Sequence, residues 1–260
     1  MLLFASPGRR AGRSVVGGMV VLAVVALVAG SSRAAEVTAV PSADTFVAAA
    51  EPTYNYGAAG AVEVSGAGTP SGQFQGLVRF DPAEAKARFD AQFGAGGWKL
   101  DSATLRLSTS NPNNTLFNPN AAGSITVSWM QNDAWVEGTG GPITPTTDGV
   151  TFNTLPTFLS PADESMGTIN FPGGTSGANS YSLSLSPGFT TDLLTGSSAS
   201  LRFYVEGGGS TSYLFASRTF NQTANRPVLT LSASAVPEPS VGIGLVGLAG
   251  MLLRRRARRA

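Results

Sequence analysis

Short runs of alternating apolar and polar residues recur along the middle of the chain, separated by Gly, Ser, Thr, Asn and Pro. Val62 and Val64, Leu105 and Leu107, and then Ile125, Val127 and Trp129 each fall at every second position. So do Tyr181, Leu183 and Leu185, and later Leu201, Phe203 and Val205. Residues 75–80, with Leu77, Val78 and Phe80, and residues 228–231 form two further runs. A period of two puts one set of side chains against a core and the other in water, which is the mark of a half-buried strand. Many short strands joined by Gly/Pro turns predict an all-β fold, an antiparallel β-sandwich rather than alternating β–α units.

One stretch breaks the pattern. Asp81-Pro82-Ala83-Glu84 reads as an N-cap, a Pro at the first helical position and a Glu at the third, a capping-box-like start. Ala85, Phe89 and Phe93 then repeat every four residues, and Gly94 supplies a stop. The spacing predicts a single inserted helix over about 82–93. Residues 111–123 and 138–148 are expected to be exposed loops, and Asn55-Tyr56-Gly57 a turn with Gly57 at positive φ.

The two ends read as addresses. Arg9, Arg10 and Arg13 precede an apolar core over 15–28, followed by the small residues of Ser32-Arg33-Ala34. That is a signal peptide over 1–35, handled by the Sec machinery and signal peptidase, and it stays out of the fold. At the other end, Pro237-Glu238-Pro239 closes a linker over 234–240. An apolar run over 241–253 follows, then Arg254, Arg255, Arg256, Arg258 and Arg259. The run is shorter than the roughly 20 residues of a comfortable membrane span. Its arginines favour the cytoplasmic side, so the body at 36–233 lies outside.

Removing the ends reverses the charge argument. The chain has 17 basic and 16 acidic residues, a net charge of +1. Nine of the arginines (9, 10, 13, 33, 254, 255, 256, 258 and 259) sit in the signal and the tail, so the exported part carries a net charge near −8. An acidic body has no electrostatic reason to bind nucleic acid. The chain has no Cys and no His. Stability therefore rests on a core without disulfides, and His-dependent triads and zinc sites are excluded. A carboxylate pair could serve a glycosidase or lyase, with Asp133, Glu137 and Glu206 as candidates, but no spacing singles out two of them.

The order Pro-Glu-Pro, Gly-rich apolar run and arginines resembles the PEP-CTERM sorting signal. The resemblance implies processing near Pro237-Glu238-Pro239 by an exosortase, a membrane transpeptidase. It also implies transient anchoring in the inner membrane by the C-terminal helix and delivery to the cell surface or extracellular matrix. The competing reading is an anchor that is never cut.

The body carries a second resemblance. Asp44-Thr45-Phe46-Val47 and Asn55-Tyr56-Gly57 are followed by Leu77-Val78-Arg79-Phe80-Asp81 and Ser102-Ala103-Thr104-Leu105-Arg106-Leu107. Later come Trp135-Val136-Glu137-Gly138, Phe215-Ala216-Ser217-Arg218 and Arg226-Pro227-Val228-Leu229. In this order they resemble the DNRLRE domain family over roughly 37–233. The resemblance implies a jelly-roll-like sandwich, and relatives that include carbohydrate-binding modules.

These readings give the candidate residues. Arg79 and Arg106 either pair with carboxylates such as Asp44 or Asp81, or offer a guanidinium fork to a sugar. Arg218 is a further ligand-binding candidate. Tyr54 and Tyr56 could stack on a sugar ring. Among the tryptophans Trp135 is the best candidate for an exposed platform, but core packing is the favoured reading for it, as for Trp129 in its strand alternation. Asp44 and Asp81 are the candidates for a structural Ca2+. The expected function is a non-catalytic, exported protein that binds or organises extracellular polysaccharide. The alternatives are a coat or biofilm component without a specific ligand, and a carboxylate-dependent hydrolase or lyase.

Overall fold

The computed structural model describes residues 34–111 and 114–237. The expected signal peptide as far as residue 33 and the expected sorting tail from residue 238 lie outside the described residues, whereas Ala35, expected in the signal, opens the first strand, and Ser234 and Ala235, expected in the linker, close the last. Among the described residues no helix is long and apolar enough to cross a membrane.

The alternating runs become strands, all paired antiparallel, in two sheets. The smaller holds β1 (Ala35–Ala39), β11 (Val228–Ala235), β5 (Trp98–Ser108) and β8 (Ala178–Leu183), in that order. The larger runs β10 (Ser212–Ala216), β3 (Ala61–Ser65), β4 (Phe74–Phe80), β9 (Ala199–Tyr204), β6 (Gly123–Met130) and β7 (Glu164–Phe171). The eleventh strand, β2 (Pro41–Ala48), pairs with β4 over its length, whereas β3 meets β4 only at Ser65 and Phe74.

One hydrophobic cluster draws on both sheets. Leu105, Leu229 and Leu231 come from the smaller, and Val62, Val78, Val127, Leu201 and Phe203 from the larger. These are the residues at the apolar positions of the alternation. Each fully buried aliphatic or aromatic side chain contributes about 1.5–3 kcal/mol. Ring pairs add shape, with Phe171 stacked on Tyr213 at 3.9 Å and Phe46 on Tyr56 at 4.7 Å.

Two α-helices are present where the sequence predicts one. The anticipated helix, α1, spans Ala83–Phe93 and buries Ala85 and Phe89. Asp81 Oδ1 accepts from the Ala83 N–H at 3.0 Å, as a cap does. Glu84 does not close a capping box, because it accepts from the Arg88 guanidinium instead. The second helix, α2, spans Pro187–Thr195, with the Ser186 hydroxyl accepting from the Phe189 N–H and Gly196 ending it at φ 77°. The Trp129 indole donates to Asp192 Oδ2 at 2.7 Å and so ties α2 to β6.

The loop at 111–123 is not simply exposed. Phe117 and Asn118 are buried, and the segment lies along β10, with the Ala121 N–H donating to the Ser212 carbonyl at 2.8 Å. Gly57 is not among the positive-φ residues. A Cβ there would stand 2.2 Å from the Glu137 carbonyl oxygen, so close backbone approach is what requires Gly.

Candidate functional site

The outward face of the larger sheet divides into a covered half and an open half, and the predicted residues fall mostly in the first. Alternation along β2, β4 and β6 turns Ala43, Val47, Leu77 and Met130 away from the main core. The segment 131–163 folds over them and adds Trp135, Val150 and Leu155 to form a second apolar cluster.

Trp135 anchors this cover. It is 1% exposed, and its indole donates to Ser200 Oγ at 2.9 Å, so it offers no platform to a ligand. Arg79 lies 4.8 Å over the Trp135 ring and donates to the Asp133 and Trp135 carbonyls, not to a carboxylate. Tyr56 is 2% exposed and stacked on Phe46, so its ring is a core element rather than a sugar contact. Tyr54 is exposed. Arg106 sits apart on the smaller sheet and donates to the Ala224 carbonyl.

Beside the cover lies a half-buried polar latch. Arg218 closes on both oxygens of Glu137, with Nε to Oε1 at 2.7 Å and Nη2 to Oε2. The other face of Glu137 Oε1 accepts from the Asp44 N–H at 2.9 Å, and Asp44 Oδ2 accepts from the Arg218 N–H. Asn55 is fully buried and donates to the Glu137 carbonyl at 2.7 Å and the Val150 carbonyl at 2.9 Å. Asp44 Oδ1 has no partner. Burial, reinforced by the Glu137 charge, pushes the Asp44 carboxyl up to about 7 against the opposing hydrogen bond from Arg218.

Asp44 and Asp81 do not form a shared cation site. Asp44 faces Arg218, whereas Asp81 is exposed and caps α1. Nor does the first of the two fit calcium alone, because a guanidinium already stands beside it. Among the described residues no group of three acidic side chains is arranged to hold a metal ion.

The open half is formed by β9, β6 and β7. Leu201, Phe203 and Val205 face the core, so Arg202, Tyr204 and Glu206 face out. In register, Thr168, Thr126 and Tyr204 stand in a row across the three strands. Arg202 lies 4.2 Å over the Tyr204 ring and is held there by Nε donating to Gln75 Oε1 at 2.8 Å. Thr126 donates to Glu206 Oε1 at 3.1 Å, and Ser124 to Asn170 Oδ1 at 2.8 Å. Arg202 takes part in no salt bridge among the described residues. Burial holds its guanidinium below its ordinary pKa, against the opposing influence of Tyr204 and Asp163. The signal for this face lies in the plain alternation of 201–206, whose polar members the motif-based reading passes over.

Clefts also indent the surface of the described residues. One of about 720 Å3 runs beside β1 and α1, where its single cation, Arg88, is engaged by Glu84. Another of about 410 Å3 lies between β7 and β8, lined by Thr168, Asn170, Asn179, Ser180, Tyr181 and Ser182 among others.

No protein-family model matches the chain, and no curated protein matches it.

Proposed function

We infer that the chain is an exported, non-catalytic surface or matrix protein that binds or organises extracellular polysaccharide. Its body is a jelly-roll-like sandwich of the DNRLRE type, delivered by a PEP-CTERM tail. The observation that carries this reading is the junction between body and tail. β11 ends at Ala235, and the Val236 N–H still bonds the Gly97 carbonyl at 2.9 Å. The next residues are Pro237, Glu238 and Pro239, then the apolar run and the arginines. The last strand of the body thus finishes, in sequence, just before the proposed sorting signal starts.

A second support is the chemistry of the carboxylates. Of the three carboxylates weighed for a hydrolytic pair, Glu137 is spent on Arg218. It therefore has structural work that a hydrolytic pair would have to abandon.

Mass spectrometry of surface material from cells expressing the full chain tests the sorting. The mature C-terminus should lie near Pro237-Glu238-Pro239, and Glu238→Ala or deletion of 254–259 should leave the chain unprocessed. Surface material that still ends at Ala260 would contradict processing. Retention on a glycan array tests the binding, and turnover of an arrayed glycan would reverse the non-catalytic assignment.

A further inference from the structure

The open half of the larger sheet has a chemistry that the covered half lacks. Among the described residues Arg202 Nη1 and Nη2 make no hydrogen bond, while its Nε is fixed on Gln75. Tyr204 is half-buried beneath that guanidinium. Around them stand hydroxyls and amides, Ser124, Thr126, Thr168 and Asn170, all at least partly exposed. Glu206, exposed at the end of the row, supplies an acceptor within reach of the same strand face. Donors and acceptors are thus interleaved on a rigid sheet, with an aromatic ring at the centre.

A guanidinium that has lost much of its water without a hydrogen-bonded carboxylate is an unsatisfied donor set. Four other cations pair with carboxylates, Arg218 with Glu137, Arg88 with Glu84, Lys86 with Asp90 and Lys99 with Asp101, while Arg79, Arg106 and Arg226 donate to backbone carbonyls. A ligand bearing vicinal hydroxyls fits the vacant Nη pair, because two adjacent oxygens match the planar fork. Its other hydroxyls can donate to Glu206, and its apolar ring face can lie along Tyr204. A polyanion fits poorly. Between the two addresses the chain carries twice as many acidic as basic residues, and Glu206 borders the site itself.

We propose that Arg202, Tyr204, Thr126 and Glu206, with the buried Gln75 fixing Arg202 from β4, form a binding shelf for a neutral polysaccharide on the open face of β9, β6 and β7. The proposal rests on the polysaccharide-binding reading above and gives it a place and a ligand class. It moves binding from Tyr56, Trp135 and Arg218, which are taken up by the fold, to residues that the fold leaves available.

Affinity electrophoresis of the full chain in detergent, through gels containing soluble glucan, mannan, galactan or xylan, or a polyuronate, tests it. The native chain should be retarded by at least one neutral polymer and not by the polyuronate. Tyr204→Ala and Arg202→Ala should each weaken that retardation about tenfold, the scale of an interface anchor. Arg88→Ala, which removes the same charge on α1, should leave it unchanged, and unchanged denaturation midpoints would show that the variants fold. Retardation that survives both shelf substitutions overturns the shelf while leaving polysaccharide binding intact. Retardation by the polyuronate alone overturns the neutral assignment. A native chain retarded by none of the polymers overturns both the shelf and the reading beneath it.

Discussion

Arg218 grips Glu137 with a two-pronged contact, and in doing so joins the end of β10 to the segment that covers the larger sheet. The same arginine offers its backbone N–H to Asp44 on β2. Three parts of the chain thus meet at one guanidinium. Replacing Arg218 with Ala leaves two carboxylates facing each other in a poorly hydrated place. Unfolding by urea should show a loss of about 2–3 kcal/mol, less than the roughly 3–5 kcal/mol of a fully buried pair because both side chains keep some solvent contact. Arg218→Lys keeps the charge but not the fork, and should recover only part of that loss. A variant as stable as the native chain would show the latch to be ornamental.

Acidity should stabilise this protein between mildly acidic and alkaline conditions. Asp44 is held up at about 7 and Glu63 at about 8, both mainly by burial. Glu63 has only the Ser212 hydroxyl on Oε1, at 2.7 Å, and nothing on Oε2. Folded carboxyls raised above their unfolded values of 3.8 and 4.5 bind more protons in the native state. Their stabilisation is complete below those unfolded values and drains away as pH climbs through about 7 and about 8. Asp148, lowered to about 2 by Thr146 and Thr139, acts in the opposite sense, but only in strong acid. Urea midpoints measured from about pH 5 to about pH 9 should therefore fall, and Asp44→Asn with Glu63→Gln should flatten the slope. A midpoint that rises across this range would reverse the sign of the argument.

Gly57→Ala should be among the most damaging small changes. The added carbon meets the Glu137 and Gly138 carbonyl oxygens at 2.2 and 2.5 Å, and both are backbone atoms that cannot swing aside. Overpacking of this kind costs about 1–3 kcal/mol, with the upper end expected here. The thermal midpoint is the readout, and a change confined to less than about 1 °C would rule out the close approach.

Trp135→Ala should cost about 3–5 kcal/mol, as large aromatic truncations in cores do. It also strips the stacking partner from Arg79 and the donor from Ser200. Since 131–163 depends on this anchor, limited proteolysis of the variant should cut first within that segment. Cleavage that begins elsewhere would mean that the cover is held mainly by Asn55 and Arg218.

The strands were legible wherever a single face is buried. Leu201-Arg202-Phe203-Tyr204 could be read from period alone, and the helix from Asp81-Pro82 and Gly94. Strand β7 was not, because two residues, Met166 and Gly167, stand opposite Val127, and the slip puts Met166 and Ile169 three apart on the buried side. β10 escaped for another reason: all five residues are buried, so no alternation exists to find. Helix α2 carried a cap, a Pro and a closing Gly in Ser186, Pro187 and Gly196, yet its apolar residues are few. Asp44, Tyr56, Arg79, Trp135 and Arg218 all lie in or beside one cover, whereas Arg106 sits apart on the smaller sheet. Core packing, the favoured expectation for Trp135, agrees with its burial; that a cover forms at all rests on 131–163 folding back across the sheet, a long-range event that local pattern does not encode.

The pairing of Ala35 with Ala233 has a mechanical consequence. Tension drawn through the tail enters β11, which is flanked by β1 on one side and β5 on the other. A pull along that strand stretches both ladders at once, lengthwise, instead of opening them rung by rung. Were the body tethered to a cell through this strand, flow and drag would fall on an element paired along both edges.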